Sequence, residues 1–233
     1  MPQQRHSAKH DEVKISGGSV QLPLSGVMIL LVEDSRFYSE AIRLLSLRSG
    51  ARLRRADSVR AAQRHLSIHR PDAMIVDMGL PDGLGEDVIA LASRLETRPV
   101  ILATSGESAG IAERALAAGA DDFMIKPLQD LAVFQQTLSR LLRRQGKPVA
   151  QGLQVVGTRV IADHKAMDED LNKAISLIVT DPDYAAQFSF SVAEAAGDRE
   201  LAAIAQTAIE LGDFDVLHKV LIERTKRSDS VVL

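Results

Sequence analysis

The hydrophobic pattern of the chain changes character at residue 27. Residues 1–25 are polar, contain Gly and Ser, and show no sustained period, which predicts a flexible tail. From residue 27 onward, short apolar runs alternate with stretches of helical spacing. The run 27–32 is continuous and apolar, as expected of a strand buried on both faces. A helix is predicted over 35–47, with Phe37, Ala41, Leu44 and Leu45 near one face and Gly50 closing it. Residues 51–55 form a weak edge-strand candidate, and 58–67 read as a helix opened by a Ser or Asp cap. The next apolar run, 73–76, ends at Asp77 and leads through the turn-rich stretch 79–83 into a helix over 85–94. A strand at 99–103, an Ala-rich helix ending at Gly119, a strand at 123–125 and a helix over 128–143 complete the series. Leu131, Phe134, Leu138 and Leu141 share one side of that last helix. Five strands alternating with five helices predict a doubly wound α/β fold: a five-stranded parallel sheet with helices on both faces. Ligands of such sheets sit beyond the carboxyl ends of the strands.

The α/β unit is placed at 26–145. The Gly/Pro-containing stretch 146–160 is read as a linker, and 161–227 as a small all-α module followed by a tail at 228–233. In the module Leu171, Ile175 and Ile178 share a face, Pro182 opens a helix, and Tyr184 and Phe188 are spaced as neighbours. Gly197 and Gly212 punctuate two further helices, 198–211 and 214–226. So few residues are expected to need another surface to complete their core.

Composition narrows the chemistry. The chain has no cysteine, which removes disulfides, thiol catalysis and Cys-based zinc sites. Its longest unbroken apolar stretch, 27–32, is too short to cross a bilayer, and a cytoplasmic protein without membrane contact is expected. Through residue 150 there are 20 Lys plus Arg against 17 Asp plus Glu, whereas from residue 151 onward the counts are 8 and 14. An acidic C-terminal module argues against a nucleic-acid backbone as its partner. His65, His69, His164 and His218 show no metal-ligand spacing with carboxylates, and the basic cluster Arg52, Arg54, Arg55, Arg60 and Arg64 reads as a solvated face.

The residues just past the strand ends are the informative ones. Glu33 and Asp34 follow the first strand, Asp77 ends the third, Thr104 the fourth and Lys126 the fifth. A doubly wound sheet gathers them around one crevice. Three crowded carboxylates repel one another, and a divalent cation with hard oxygen ligands, such as Mg²⁺, relieves that repulsion. Asp77 then suits the part of a nucleophile forming an acyl phosphate. Lys126 would bind a phosphoryl oxygen as a point charge, and Thr104 would donate a hydrogen bond to another.

Five segments carry a family resemblance: Ile29-Leu30-Leu31-Val32-Glu33-Asp34-Ser35, Met74-Ile75-Val76-Asp77-Met78, Leu80-Pro81-Asp82-Gly83, Ala103-Thr104-Ser105 and Phe123-Met124-Ile125-Lys126-Pro127. Residues 28–143 resemble the receiver domain of two-component response regulators, a flavodoxin-like fold. The resemblance implies that Glu33, Asp34 and Asp77 bind Mg²⁺ together with the backbone carbonyl of Gly79. It implies that a histidine kinase or phosphotransfer protein donates a phosphoryl group to Asp77. Thr104 and Phe123 match the family's coupled switch pair, and Lys126-Pro127 a position where the family often has a cis peptide. Gly79 and Gly106 lie two residues beyond Asp77 and Thr104, at positions where the family uses side chains to set dephosphorylation rate and partner contacts. The helical module carries no cyclase, phosphodiesterase or P-loop motif, so no separate catalytic domain is expected. The expected output is protein–protein signalling, with a homodimer or a protein partner for the module. The alternative is a transcription regulator with an atypical DNA-binding module.

Overall fold

The computed structural model describes residues 22–106, 110–150 and 164–229. The expected tail and linker segments at 1–21, 151–160 and 230–233 lie outside the described residues.

Strand β1 (Met28–Val32) is fully apolar and all but its first residue is buried. Helix α1 (Arg36–Arg48) follows, capped by Ser35, whose hydroxyl accepts from the Tyr38 N–H. Strand β2 (Arg52–Ala56) buries only its last residue, as suits the sheet edge. Helix α2 (Val59–Ile68) opens on Ser58 rather than on Asp57. Strand β3 (Ala73–Asp77) is buried throughout. A two-residue antiparallel ladder joins β4 (Gly79–Leu80) to β5 (Gly83–Leu84) before helix α3 (Gly85–Ser93). Strand β6 (Val100–Ser105), helix α4 (Ile111–Ala118), strand β7 (Asp122–Ile125) and helix α5 (Leu131–Arg144) complete the unit. Helix α5 begins three residues later than expected because the Asp130 carboxylate caps the Val133 N–H.

The sheet is five-stranded and parallel in the order β2-β1-β3-β6-β7. Its reversal point lies between β1 and β3, where Leu30 pairs with Met74 and Val32 with Val76. One face buries Ile29, Leu31, Ile75 and Leu102 under α1 and α5. The other buries Leu30, Val32, Met74 and Ile101 under α2, α3 and α4. Leu24 belongs to the first of these cores. It is fully buried and its N–H donates to the Ser49 carbonyl, so ordered packing reaches into the expected N-terminal tail.

The C-terminal residues form four helices: α6 (His164–Leu177), α7 (Pro182–Ala196), α8 (Arg199–Leu211) and α9 (Asp215–Asp229). Asp181 caps α7 with Pro182 in its first turn, and Asp198 caps α8. Gly197 and Gly212 end α7 and α8 at φ 73° and 65°, a left-handed conformation that glycine adopts without a Cβ clash. The four helices enclose a core of their own around Leu171, Phe188, Val192, Leu201, Leu217 and Leu221. Helices α6 and α7 also rest on α1, so the module meets a second surface within the same chain. Among the described residues no helix is long and apolar enough to cross a membrane.

Candidate acceptor site

The strand register brings the sequence-predicted residues to one end of the sheet. Asp77 ends β3 opposite Thr104 of β6, and Glu33 and Asp34 follow β1 directly. Glu33, Asp34 and Asp77 each offer a carboxylate oxygen, and these oxygens lie within 4.8 Å of one another. All three residues are buried. Lys126, from the loop after β7, reaches in with its ammonium 2.7 Å from Glu33 and 3.0 Å from Asp77. It lies 4.6 Å from the centre of the Tyr38 ring, a cation–π distance. Lys126-Pro127 is a cis peptide. Thr104 is buried, with its hydroxyl 3.5 Å from the Val76 carbonyl, and Phe123 is half-buried against the core of that sheet face.

Burial dominates the electrostatics. It raises Glu33 to about 8, partly offset by Lys126 and reinforced by Asp77 and Asp34. Asp77 is also raised by burial, against the opposing pull of Lys126 and a hydrogen bond from the Gly79 N–H. For Lys126 burial works toward neutrality, but the charges of Asp77 and Glu33 outweigh it and hold the ammonium above its ordinary range. The arrangement is thus an acidic pocket into which the Lys126 ammonium is built, suited to a hard divalent ion and an oxyanion.

The helical module supplies residues that sequence reasoning missed. Lys173 of α6 places its ammonium 2.5 Å from Asp34 Oδ2 and 3.3 Å from the Asp34 carbonyl. The Tyr184 hydroxyl of α7 donates to the same Oδ2. Lys173 also lies 4.2 Å from the centre of the Phe188 ring. Asp170 of α6 sits at the start of α1, accepting from the Ser35 hydroxyl at 2.7 Å and from the N–H groups of Arg36 and Phe37 at 2.9 and 2.8 Å. It satisfies N–H groups that no helix can bond internally. Beside Asp77 a cleft of about 310 Å³ runs between Gly79, Leu84 and Gly106 on one side and Tyr184, Gln187 and Phe190 on the other. The only sequence signal for any of these was the helical spacing of Tyr184 and Phe188, which placed them on one face without showing what that face meets.

Residues 29–146 match the response regulator receiver domain family. The virulence transcriptional regulatory protein PhoP of Salmonella typhimurium is 31% identical over 122 residues, covering 51% of this chain and 53% of that protein. The transcriptional regulatory protein PhoP of Escherichia coli O157:H7 is 30% identical over the same length and coverage. The chain spans about half the length of the curated relatives it matches. Among solved structures, a putative response regulator from Chloroflexus aurantiacus is 26% identical with a TM-score of 0.48, covering 51% of this chain and 98% of its own. The receiver domain of a sensor histidine kinase from Pseudomonas aeruginosa, solved with a magnesium ion coordinated in its active site cleft, is 29% identical with a TM-score of 0.48, covering 51% and 99%. The family match spans the strand-end acids, Thr104 and Lys126 and stops before the four C-terminal helices: through residues 29–146 this chain belongs to the response regulator receiver family.

Proposed function

We propose that the chain is a phosphorylation-operated signalling switch in which Asp77 takes the phosphoryl group from a histidine kinase or phosphotransfer protein. The observation that carries this reading is the juxtaposition of three buried carboxylates with the Lys126 ammonium at the carboxyl end of the sheet. An oxygen of Asp77 would attack phosphorus as the bond from phosphorus to the donor histidine nitrogen breaks, leaving the electron pair on the imidazole. Glu33, Asp34, Asp77 and the Gly79 carbonyl are the ligands we assign to Mg²⁺, and the three clustered carboxylates fit a hard cation. The ion would offset the negative charge of the incoming group. Lys126 and Thr104 would hold two phosphoryl oxygens, and Thr104 with Phe123 would carry the change outward.

Output through protein contacts of the helical module, or through a homodimer, fits its charge better than DNA binding does. The PhoP relatives are named transcriptional regulators, but they match only over the receiver half of this chain. With 8 basic against 14 acidic residues from residue 151 onward, the C-terminal segment offers little to a phosphate backbone. The test is incubation with Mg²⁺ and acetyl phosphate, read on a phosphate-affinity gel and by intact mass. Wild type is expected to gain one phosphoryl group and Asp77→Asn none. A phosphorylated Asp77→Asn, or an inert wild type, would overturn the assignment.

A further inference from the structure

Both Asp34 and the space beside Asp77 are already engaged by the helical module. Lys173 and Tyr184 converge on one oxygen of Asp34. Lys126 spans the other two acids, and Lys173 forms the ion pair with the third, whose backbone carbonyl also accepts from the Arg55 guanidinium at 3.0 Å. On the far wall, Gly106 lies against Phe190 and Ser191: a Cβ added there would stand 3.3 Å from the Phe190 ring and 3.4 Å from the Ser191 hydroxyl. With α7 in place, Asp77 is only 5% exposed.

The contact is built so that it can open. Its named bonds are polar: Lys173 and Tyr184 to Asp34, Asp170 to the start of α1, Glu169 to Arg36, and Gln129 to the Ala195 carbonyl. Water can take over each of these when the surfaces part. Among the described residues, the module contributes Ala195 as a fully buried member of the receiver's core, with Ala166, Met167 and Ala196 packed partly against it. The module's own core lies among α6, α7, α8 and α9, so the four helices can leave as a folded unit.

We propose that the α6–α7 hairpin is an intramolecular lid over the acceptor site, in which Lys173 and a divalent cation compete for Asp34, so that metal binding and phosphorylation release the module. This rests on the receiver reading given above. An ammonium 2.5 Å from Asp34 Oδ2 and a divalent ion on the same carboxylate repel each other at close range in a site that excludes water. A kinase that presents a histidine to Asp77 also meets Tyr184, Gln187 and Phe190 across the cleft. Binding that favours the open state and docking that favours the closed one are then reciprocal.

The test uses the full chain. Mg²⁺ affinity is measured by calorimetry for wild type, Lys173→Met and Tyr184→Phe. Amide exchange is followed in the unaltered chain with and without Mg²⁺ and beryllofluoride. Both variants are expected to bind Mg²⁺ about tenfold more tightly than wild type, within the usual range of coupling between sites. Exchange is expected to rise across α7 in wild type on adding beryllofluoride, while the segments around Asp77 gain protection. Unchanged affinity in the variants and unchanged α7 exchange, with protection gained around Asp77, would overturn the lid and leave the receiver reading intact. No binding of Mg²⁺ or beryllofluoride by any of the three proteins would remove the receiver reading itself, and the lid with it. The exchange measurement needs no substitution, so a variant that failed to fold would not blunt the test.

Discussion

Two glycines follow Asp77 closely, and the structure assigns them opposite sensitivities. Gly85 opens α3, and its N–H donates to the Met78 carbonyl at 3.2 Å. A Cβ built on it would stand 2.3 Å from the Asp77 carbonyl oxygen, 2.8 Å from Met78 Cα and 3.1 Å from the Asp77 carbonyl carbon. The first of these is over 1 Å short of an ordinary contact of about 3.5 Å, and every atom involved is backbone, so no rotamer change relieves it. Overpacking of this kind costs about 3 kcal/mol at the upper end of its usual range. The restricted unfolded chain of alanine returns up to about 1 kcal/mol. Gly85→Ala is therefore expected to destabilise the chain by about 2 kcal/mol net, a loss of roughly 4–8 °C in Tm for a chain of this size.

Gly79 is the control. A Cβ there meets nothing within 4 Å, so Gly79→Ala is expected to stay within about 0.5 kcal/mol of wild type. Urea unfolding followed by far-ultraviolet circular dichroism compares the two without needing a tryptophan, which the sequence lacks. Phosphorylation by acetyl phosphate gives a second reading. If Asp77 is the nucleophile as proposed, a backbone displaced by about 1 Å there is expected to slow it on the order of a hundredfold in Gly85→Ala. Equal stability of the two variants would refute the claim that α3 starts in hard contact with the end of β3.

Two further outcomes follow from the buried charges. Burial holds Glu33 at about 8 in the folded chain, against 4.5 for the free side chain, so its stabilising contribution is complete below pH 4.5 and is lost as pH rises through about 8. The unfolding free energy of the metal-free chain, read from urea titrations, is expected to fall across that interval by at most about 1.4 kcal/mol per pH unit and less steeply in Glu33→Gln, while Mg²⁺ affinity rises over the same interval; a flat wild-type profile refutes this. Asp170→Ala removes the acceptor shared by Ser35, Arg36 and Phe37. Because water can replace it when the module undocks, the loss of about 1–2 kcal/mol is expected in docking, as faster amide exchange in α6 and the first turn of α1, and a purely global loss of stability would count against it.

The parts of this molecule legible in the sequence are those set by local pattern. Strands β1, β3 and β6 are apolar on both faces and read as runs, and the site residues follow because the topology puts chemistry at strand ends. Where local signals competed, boundaries moved. Leu128 looks helical by spacing, but it packs as loop before Asp130 caps α5. The β4–β5 ladder is two residues long on each side and has no period to detect. Leu24 sits between Pro23 and Ser25 in a polar stretch, yet its burial depends on α1 and the start of β1. Lys173, Tyr184 and Asp170 were not legible, since their partners lie 133 to 150 residues away and no periodicity encodes such a pairing.

Gly106 and Gly79, two residues beyond Thr104 and Asp77, take on meaning only once the module is seen in place. Gly106 has neither a left-handed backbone nor a crowded backbone contact to require glycine. What a Cβ would meet there is Phe190 and Ser191, both from α7. The missing side chain therefore makes room for the module rather than for a turn. Gly79 lines the same cleft with Tyr184 and Gln187, but a Cβ there would meet nothing within 4 Å. If Asp77 accepts a phosphoryl group as proposed, access to it past two positions without side chains would be set by whatever covers the cleft. Here that cover is a helix from the same chain, anchored on a carboxylate of the same acidic cluster. Under the function proposed above, ligand binding at Asp77 and docking of the module would be coupled reciprocally through their binding free energies.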